Sequence, residues 1–96
     1  MAQYVHLVRW TDQGIRTVKD TAKRAQAART QASQMGGKLQ LWYTIGEYDL
    51  IGLSEFPDDG VAQKFLYWLG SQGNVRTTTL KAWSEEEAAN LIGQLP

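Results

Sequence analysis

The chain has 96 residues, which is enough for one domain but not for two hydrophobic cores. Its basic and acidic residues balance to a net charge of zero, which argues against a nucleic-acid partner because such proteins need a basic surface. The absence of cysteine excludes disulfides, thiolate nucleophiles and zinc–thiolate sites.

The sequence also lacks an apolar run of about 18 residues, so we expect no transmembrane helix and no membrane partner. The N-terminus does not show the charged and apolar segments of a signal peptide. We therefore expect a soluble cytoplasmic protein.

The first predicted element is a strand at Tyr4–Trp10, which is rich in β-branched and aromatic residues. Bulky side chains occupy both of its faces, so we expect both faces to be covered. A turn at Thr11–Gly14 and a short helical turn at Ile15–Lys19 follow.

The main helix is predicted from Thr21, as the N-cap, to Met35. Alanines recur at three- and four-residue steps along it, which indicates a buried stripe of small side chains that lies close to a sheet. Gly36 is suited to end the helix in the left-handed conformation.

A β-hairpin comes next, with strands at Lys38–Ile45 and Leu50–Phe56 joined by a turn at Gly46–Asp49. Gly52 lies inside the second of these strands. A glycine there predicts a bulge, or a close approach by another backbone or a ligand.

A second helix begins after Asp58, its predicted N-cap, and carries a large apolar stripe that includes Trp68. A strand at Val75–Trp83 follows. Ser84 and Glu87 then form a predicted capping box that opens a C-terminal helix.

The order β-α-β-β-α-β plus a helix predicts a single ferredoxin-like α+β domain over residues 1–96. Its antiparallel sheet should have the strand order fourth, first, third, second, with both main helices on one face. The other face still carries apolar groups. We expect a second copy to cover it, which would make a homo-oligomer built on a dimeric α/β barrel with a cavity between the paired sheets.

Five spaced motifs of the chain belong together: Thr11–Arg16, Met35–Lys38, Gly46–Leu50, Pro57–Asp59 and Gly73–Leu80. They resemble the GYD-domain family, which takes its name from a Gly-Tyr-Asp signature that this chain shows in the form Gly-Glu-Tyr-Asp. The resemblance extends from Tyr4 to Pro96. The resemblance implies membership of the dimeric α/β-barrel group of ferredoxin-like folds. It implies no reaction.

His6 is the only histidine, and it shares a strand face with Tyr4, Val8 and Trp10. A histidine that lines a barrel can act as a general base or as an axial haem ligand. The alternative is a hydrogen-bonded strand residue. A single histidine excludes a multi-histidine metal site within one subunit, and we expect no metal and no cofactor.

Tyr48 and Asp49 stand together at the hairpin. Tyr48 can donate a hydrogen bond to a ligand carbonyl, and Asp49 can act as a base if burial raises its pKa. The alternative is that Gly46 makes the turn while Asp49 accepts hydrogen bonds from nearby backbone N–H groups.

Asn74 and Arg76 begin the fourth strand and complete the set of candidate ligand-binding residues. Arg76 can hold a carboxylate in a bidentate fork, or pair with Glu47, Asp49 or another subunit. The sequence contains no nucleophile motif, phosphate-binding glycine loop or metal-ligand spacing.

The sequence thus favours a binding or assembly module whose cavity holds a small, largely apolar ligand with one anionic or carbonyl group. A cofactor-light enzyme, such as a monooxygenase or isomerase, is an alternative by analogy of fold. A purely structural oligomer is another. The enzyme hypothesis fails if Tyr48, Asp49 and His6 are all engaged in backbone or interface contacts.

Overall fold

The computed structural model describes all 96 residues. It contains four strands and four α-helices, with a 3-10 helix at Val18–Asp20. In chain order they are β1 (Ala2–Trp10), α1 (Asp12–Arg16), α2 (Thr21–Gln34), β2 (Lys38–Tyr43), β3 (Leu50–Phe56), α3 (Asp59–Ser71), β4 (Val75–Ala82) and α4 (Glu85–Ile92). None of these helices is both long enough and apolar enough to cross a bilayer.

The strands form one four-stranded sheet in the order β2-β3-β1-β4, and all three pairings are antiparallel. This is the predicted ferredoxin-like arrangement. The register places His6 opposite both Gly52 and Thr79. Because the pairing continues unbroken through Gly52, the predicted bulge is wrong. Side chains approach this glycine instead: a Cβ there would lie 3.2 Å from Leu41 and 3.4 Å from His6.

The main hydrophobic core lies between one face of the sheet and helices α2 and α3. Its fully buried members come from strands and helices alike: Tyr4, Ala28, Ala32, Phe56, Ala62 and Phe65. The ring of Phe65 is 5.1 Å from that of Phe56 and 6.0 Å from that of Trp68. Ala28 and Ala32 of the alanine stripe predicted for the main helix are buried in this core, whereas Ala22 at its start is exposed.

Two predicted helix starts differ from the structure. Thr11, placed in a turn by its sequence, is the N-cap of α1, where its Oγ1 accepts a hydrogen bond from Gly14 N–H at 3.0 Å. Thr21 is the first residue of α2 rather than its N-cap. The 3-10 helix runs directly into α2, so the chain never adopts the extended backbone that a capping residue requires.

The second face of the sheet is left open by the helices. It carries Val5, Leu7, Ile51 and Leu53 at its centre, because alternate residues of a strand point to opposite faces. Trp42 and Leu80 add side chains that are about half exposed on the two outer strands. The predicted apolar open face is present in the single chain.

Helix α4 projects from the rest of the molecule. Its predicted capping box is formed: Ser84 Oγ accepts from Glu87 N–H, and Glu87 Oε1 accepts from Ser84 N–H. No residue of α4 is buried, and Leu91 and Ile92 are 51% and 64% exposed. This apolar stripe has no cover within the chain.

Candidate ligand-binding site

A cavity of about 130 Å³ lies between the sheet and helices α2 and α3. Most of the residues around it are apolar. They are Val8, Trp10, Ala25, Ala27, Ala28, Leu39, Leu41, Leu50, Phe65, Trp68, Leu69 and Val75, with His6, Thr21, Arg24, Gln72 and Asn74 as the remainder. An apolar space of ~150 Å³ in a protein admits benzene, so this cavity suits a ligand of one small ring.

Small side chains of α2 leave this space between the helix and the sheet. Helix α2 presents Ala25 and Ala28 to the sheet, and each ends at its Cβ. On the sheet, Leu41 and His6 line the cavity and close over Gly52, so the glycine itself does not open onto it. Larger groups on α3, Phe65 and Trp68, close the opposite side of the cavity.

Four polar residues of the cavity gather at one end of the sheet, while His6 lies deeper. Thr21 and Arg24 belong to the first turn of α2, and its N-terminus follows the end of β1. Gln72 and Asn74 lie in the connection from α3 to β4, and the register pairs the following Val75 with Trp10 at the end of β1. The cavity thus has a polar end and an apolar interior.

His6 lies four residues before Trp10, which is about 13 Å deeper along β1. Its Nδ1 is 2.9 Å from Thr79 Oγ1, and its Nε2 is 2.7 Å from Ser54 Oγ. Burial lowers the pKa of His6 to about 4, so the ring is neutral at pH 7. Either neutral tautomer is satisfied, since each hydroxyl can donate or accept.

The contact between Ser54 and His6 has the length of a nucleophile–base pair. Ser54, however, is 1% exposed and does not line the cavity, so a molecule in the cavity does not reach its hydroxyl. The lowered pKa also makes His6 a weak base. The pair therefore links β1 to β3 inside the sheet rather than forming a catalytic centre.

The position of His6 corrects the expectation of a barrel-lining residue. Its strand face is the one covered by the helices, because His6 shares it with the buried Tyr4 and Val8. The observed cavity lies between sheet and helices within one chain. The predicted cavity between paired sheets requires two chains and stays a prediction.

The two signature residues of the hairpin lie outside the cavity. Asp49 Oδ2 accepts a hydrogen bond from Trp10 N–H at 2.9 Å, and Asp49 N–H donates to Val8 O at 2.8 Å. The ring of Tyr48 lies 4.8 Å from the guanidinium of Arg9, whose Nη2 also donates to Glu47. His6 is bonded to the side chains of Ser54 and Thr79, and Asp49 to the backbone, whereas the Tyr48 hydroxyl makes no hydrogen bond within the chain. The condition for rejecting the enzyme hypothesis is therefore met only by Asp49.

The side chains of Asn74 and Arg76 lie in different places, although the two residues are only two positions apart in the chain. Asn74 lines the cavity, where its Oδ1 accepts a hydrogen bond from Gln13 Nε2 at 2.9 Å. Arg76 points across the edge of β4 toward α3, with its Nη1 close to Gly70. It pairs with neither Glu47 nor Asp49, which are bound to Arg9 and to the backbone of Trp10.

A second polar cluster lies near the other end of the sheet. The Tyr4 hydroxyl donates to the Asp59 carboxylate, which also receives Lys81 Nζ at 3.0 Å. Burial, together with the hydrogen bond to Asp59, raises the pKa of Tyr4 to about 12. The hydrogen bond from Tyr4, and then Lys81, lower the pKa of Asp59. These groups join β1, α3 and β4 and do not line the cavity.

Sequence reasoning missed most of the cavity, including Trp10, Arg24 and Trp68 as lining residues. Arg24 is one of three basic residues of α2, and its charge by itself indicates a solvated helix face. A signal for its true position was present, because Arg24 and Ala28 are four residues apart and so share one face of the helix.

The class defined by this fold and site is a ferredoxin-like α+β domain with an apolar cavity between its sheet and its helices. The model of the GYD domain family matches residues 4–92, and the chain belongs to that family. The predicted membership is thereby confirmed. It assigns no activity, since the family is one of unknown function. Searches of curated proteins and of solved structures gave no significant match.

Proposed function

We propose that this protein binds a small, largely apolar molecule in the cavity between its sheet and helices. The observation that carries the proposal is the cavity itself, with a volume of about 130 Å³ and a lining that is mostly aliphatic and aromatic. Ligand sites in proteins are typically apolar, concave and furnished with a few polar groups at defined points. Trp10, Phe65 and Trp68 offer aromatic surfaces to a ring-shaped ligand.

Toluene is a suitable neutral probe, because one ring with one methyl group approaches the volume of the cavity. The protein has four tryptophans, and their indole N–H signals report binding by NMR. Trp10 and Trp68 line the cavity, whereas Trp42 lies on the open face of the sheet and Trp83 follows β4. We expect toluene to shift the first two signals and to leave the other two in place.

Ala25→Leu should abolish those shifts, because the added carbons occupy the cavity from α2. Ala22→Leu is the matched control: Ala22 is exposed on the same helix and does not line the cavity. It should bind toluene as the wild type does. Wild-type protein whose Trp10 and Trp68 signals ignore toluene would contradict the proposed function.

A second function, assembly with other copies of the chain, is favoured by a separate observation. The open face of the sheet has an apolar centre at Val5, Leu7, Ile51 and Leu53. Contiguous apolar surface of this kind marks an interaction site in soluble proteins. A second copy presents the same face, so two sheets can cover each other and form the predicted α/β barrel. The two functions are compatible because the cavity lies on the other side of the sheet.

A further inference from the structure

Arg24 is the one charged residue that lines the cavity. It is half-buried in the first turn of α2, about 6 Å along the helix from Ala28 and thus at the polar end. Its Nη1 donates to Thr17 O at 3.0 Å and to Thr17 Oγ1 at 2.8 Å, while Nη2 donates to Gly14 O at 3.1 Å. These bonds fix the guanidinium beside the cavity.

All three of those acceptors are uncharged. The two ion pairs of the structure join Arg9 to Glu47 and Lys81 to Asp59, so the positive charge of Arg24 has no carboxylate partner within the fold. A hydrogen bond from a guanidinium to a carboxylate is stronger than one to an uncharged acceptor. The guanidinium has five N–H groups, and three hydrogen bonds leave donors for a further acceptor.

We propose that the ligand is a small aromatic carboxylate, with its ring in the apolar interior and its carboxylate on Arg24. This inference rests on the proposed function and names the chemical class of its ligand. The ring contacts Trp10 and Trp68, and the carboxylate takes the place of the missing anionic partner at the polar end. A guanidinium suits this task because its planar fork matches the geometry of a carboxylate.

The test compares benzoate with benzamide, a neutral molecule of nearly the same shape, by the same indole signals at pH 7. Wild-type protein should bind benzoate about tenfold or more tightly, the difference expected for a hydrogen bond to a charged group. Arg24→Gln should bring the two affinities together. Arg29→Gln is the control, since Arg29 is exposed on α2 and bonds only to Gln26; it should keep the preference.

Toluene separates the two proposals. Wild-type protein that binds toluene but binds benzoate no better than benzamide overturns the carboxylate inference and leaves the proposed function standing. A preference that survives Arg24→Gln overturns the assignment to Arg24. Failure of all three probes overturns both proposals. Toluene binding by Arg24→Gln verifies that its cavity is intact, and Arg24→Met, which keeps the length of the side chain without its charge, replaces that variant if it does not fold.

Discussion

The buried imidazole of His6 makes the stability of the fold depend on pH. In the folded chain its pKa is lowered to about 4 by burial, against an ordinary value of 6.5 in the unfolded chain. Between these two values the unfolded state binds more protons than the folded state, so stability falls as the pH falls. The stabilisation is fully present above pH 6.5 and is lost as the pH approaches 4.

His6→Gln should remove this dependence, because glutamine does not titrate. The free energy of unfolding by urea, measured at pH 7.5 and at pH 4, gives the difference between wild type and variant at each pH. Between pH 7.5 and pH 4 the wild type should lose about 3 kcal/mol more of its free energy of unfolding than the variant does. Shifts in Asp59 and Glu87 are common to both proteins and cancel. A difference that stays constant with pH would show that His6 is not held neutral by the fold.

The hairpin signature shows which residue roles can be predicted from sequence. A glycine before Tyr-Asp indicated a turn, and Gly46 does adopt a positive φ of 120°. The sequence also allowed the prediction that Asp49 accepts hydrogen bonds from the backbone, because aspartate in turns commonly bonds to N–H groups near it. The partner, Trp10 N–H, is 39 residues away in the chain. Such a contact depends on the register between β1 and β3, which no local pattern encodes.

At the scale of elements, local chemistry predicted most of the chain. Asp58 and Ser84 cap α3 and α4 as expected, because their side chains accept N–H groups three residues on. The cavity was not predicted. The alanines of α2 indicated a close approach to the sheet, but the separation of two layers also depends on every large residue between them, including Phe65 and Trp68. Helical periodicity shows which side chains share one face of a helix, but it does not show how far that face lies from the sheet.

Helix α4 should be dispensable for folding of the single chain. It buries no residue, so removing residues 85–96 should change the free energy of unfolding by less than about 1 kcal/mol. Phe65→Ala is the reference for a buried element: Phe65 is 1% exposed, and its loss should cost about 3–5 kcal/mol. Urea unfolding of both variants at low protein concentration makes the comparison. A truncation as costly as Phe65→Ala would mean that α4 packs against the body.

At the scale of the whole molecule, the open sheet face should control association. Leu80→Glu places a charge on that face, at a side chain that is 49% exposed, and should convert a wild-type dimer to a monomer. Tyr67→Glu is the matched control, because Tyr67 is 71% exposed on α3. It should remain dimeric. Analytical ultracentrifugation measures the masses, and a monomeric wild type, or a dimeric Leu80→Glu, would contradict assembly through this face.

The cavity between sheet and helices also contributes to how the protein responds to compression. About 130 Å³ of cavity exists in the folded chain and disappears when the chain unfolds. The unfolded state with its solvent therefore occupies the smaller volume, and hydrostatic pressure shifts the equilibrium toward it. A molecule seated in the cavity removes the cavity's share of that difference. Occupancy thus makes the fold resistant to pressure as well as more stable, and the volume change on unfolding reports whether the cavity is filled.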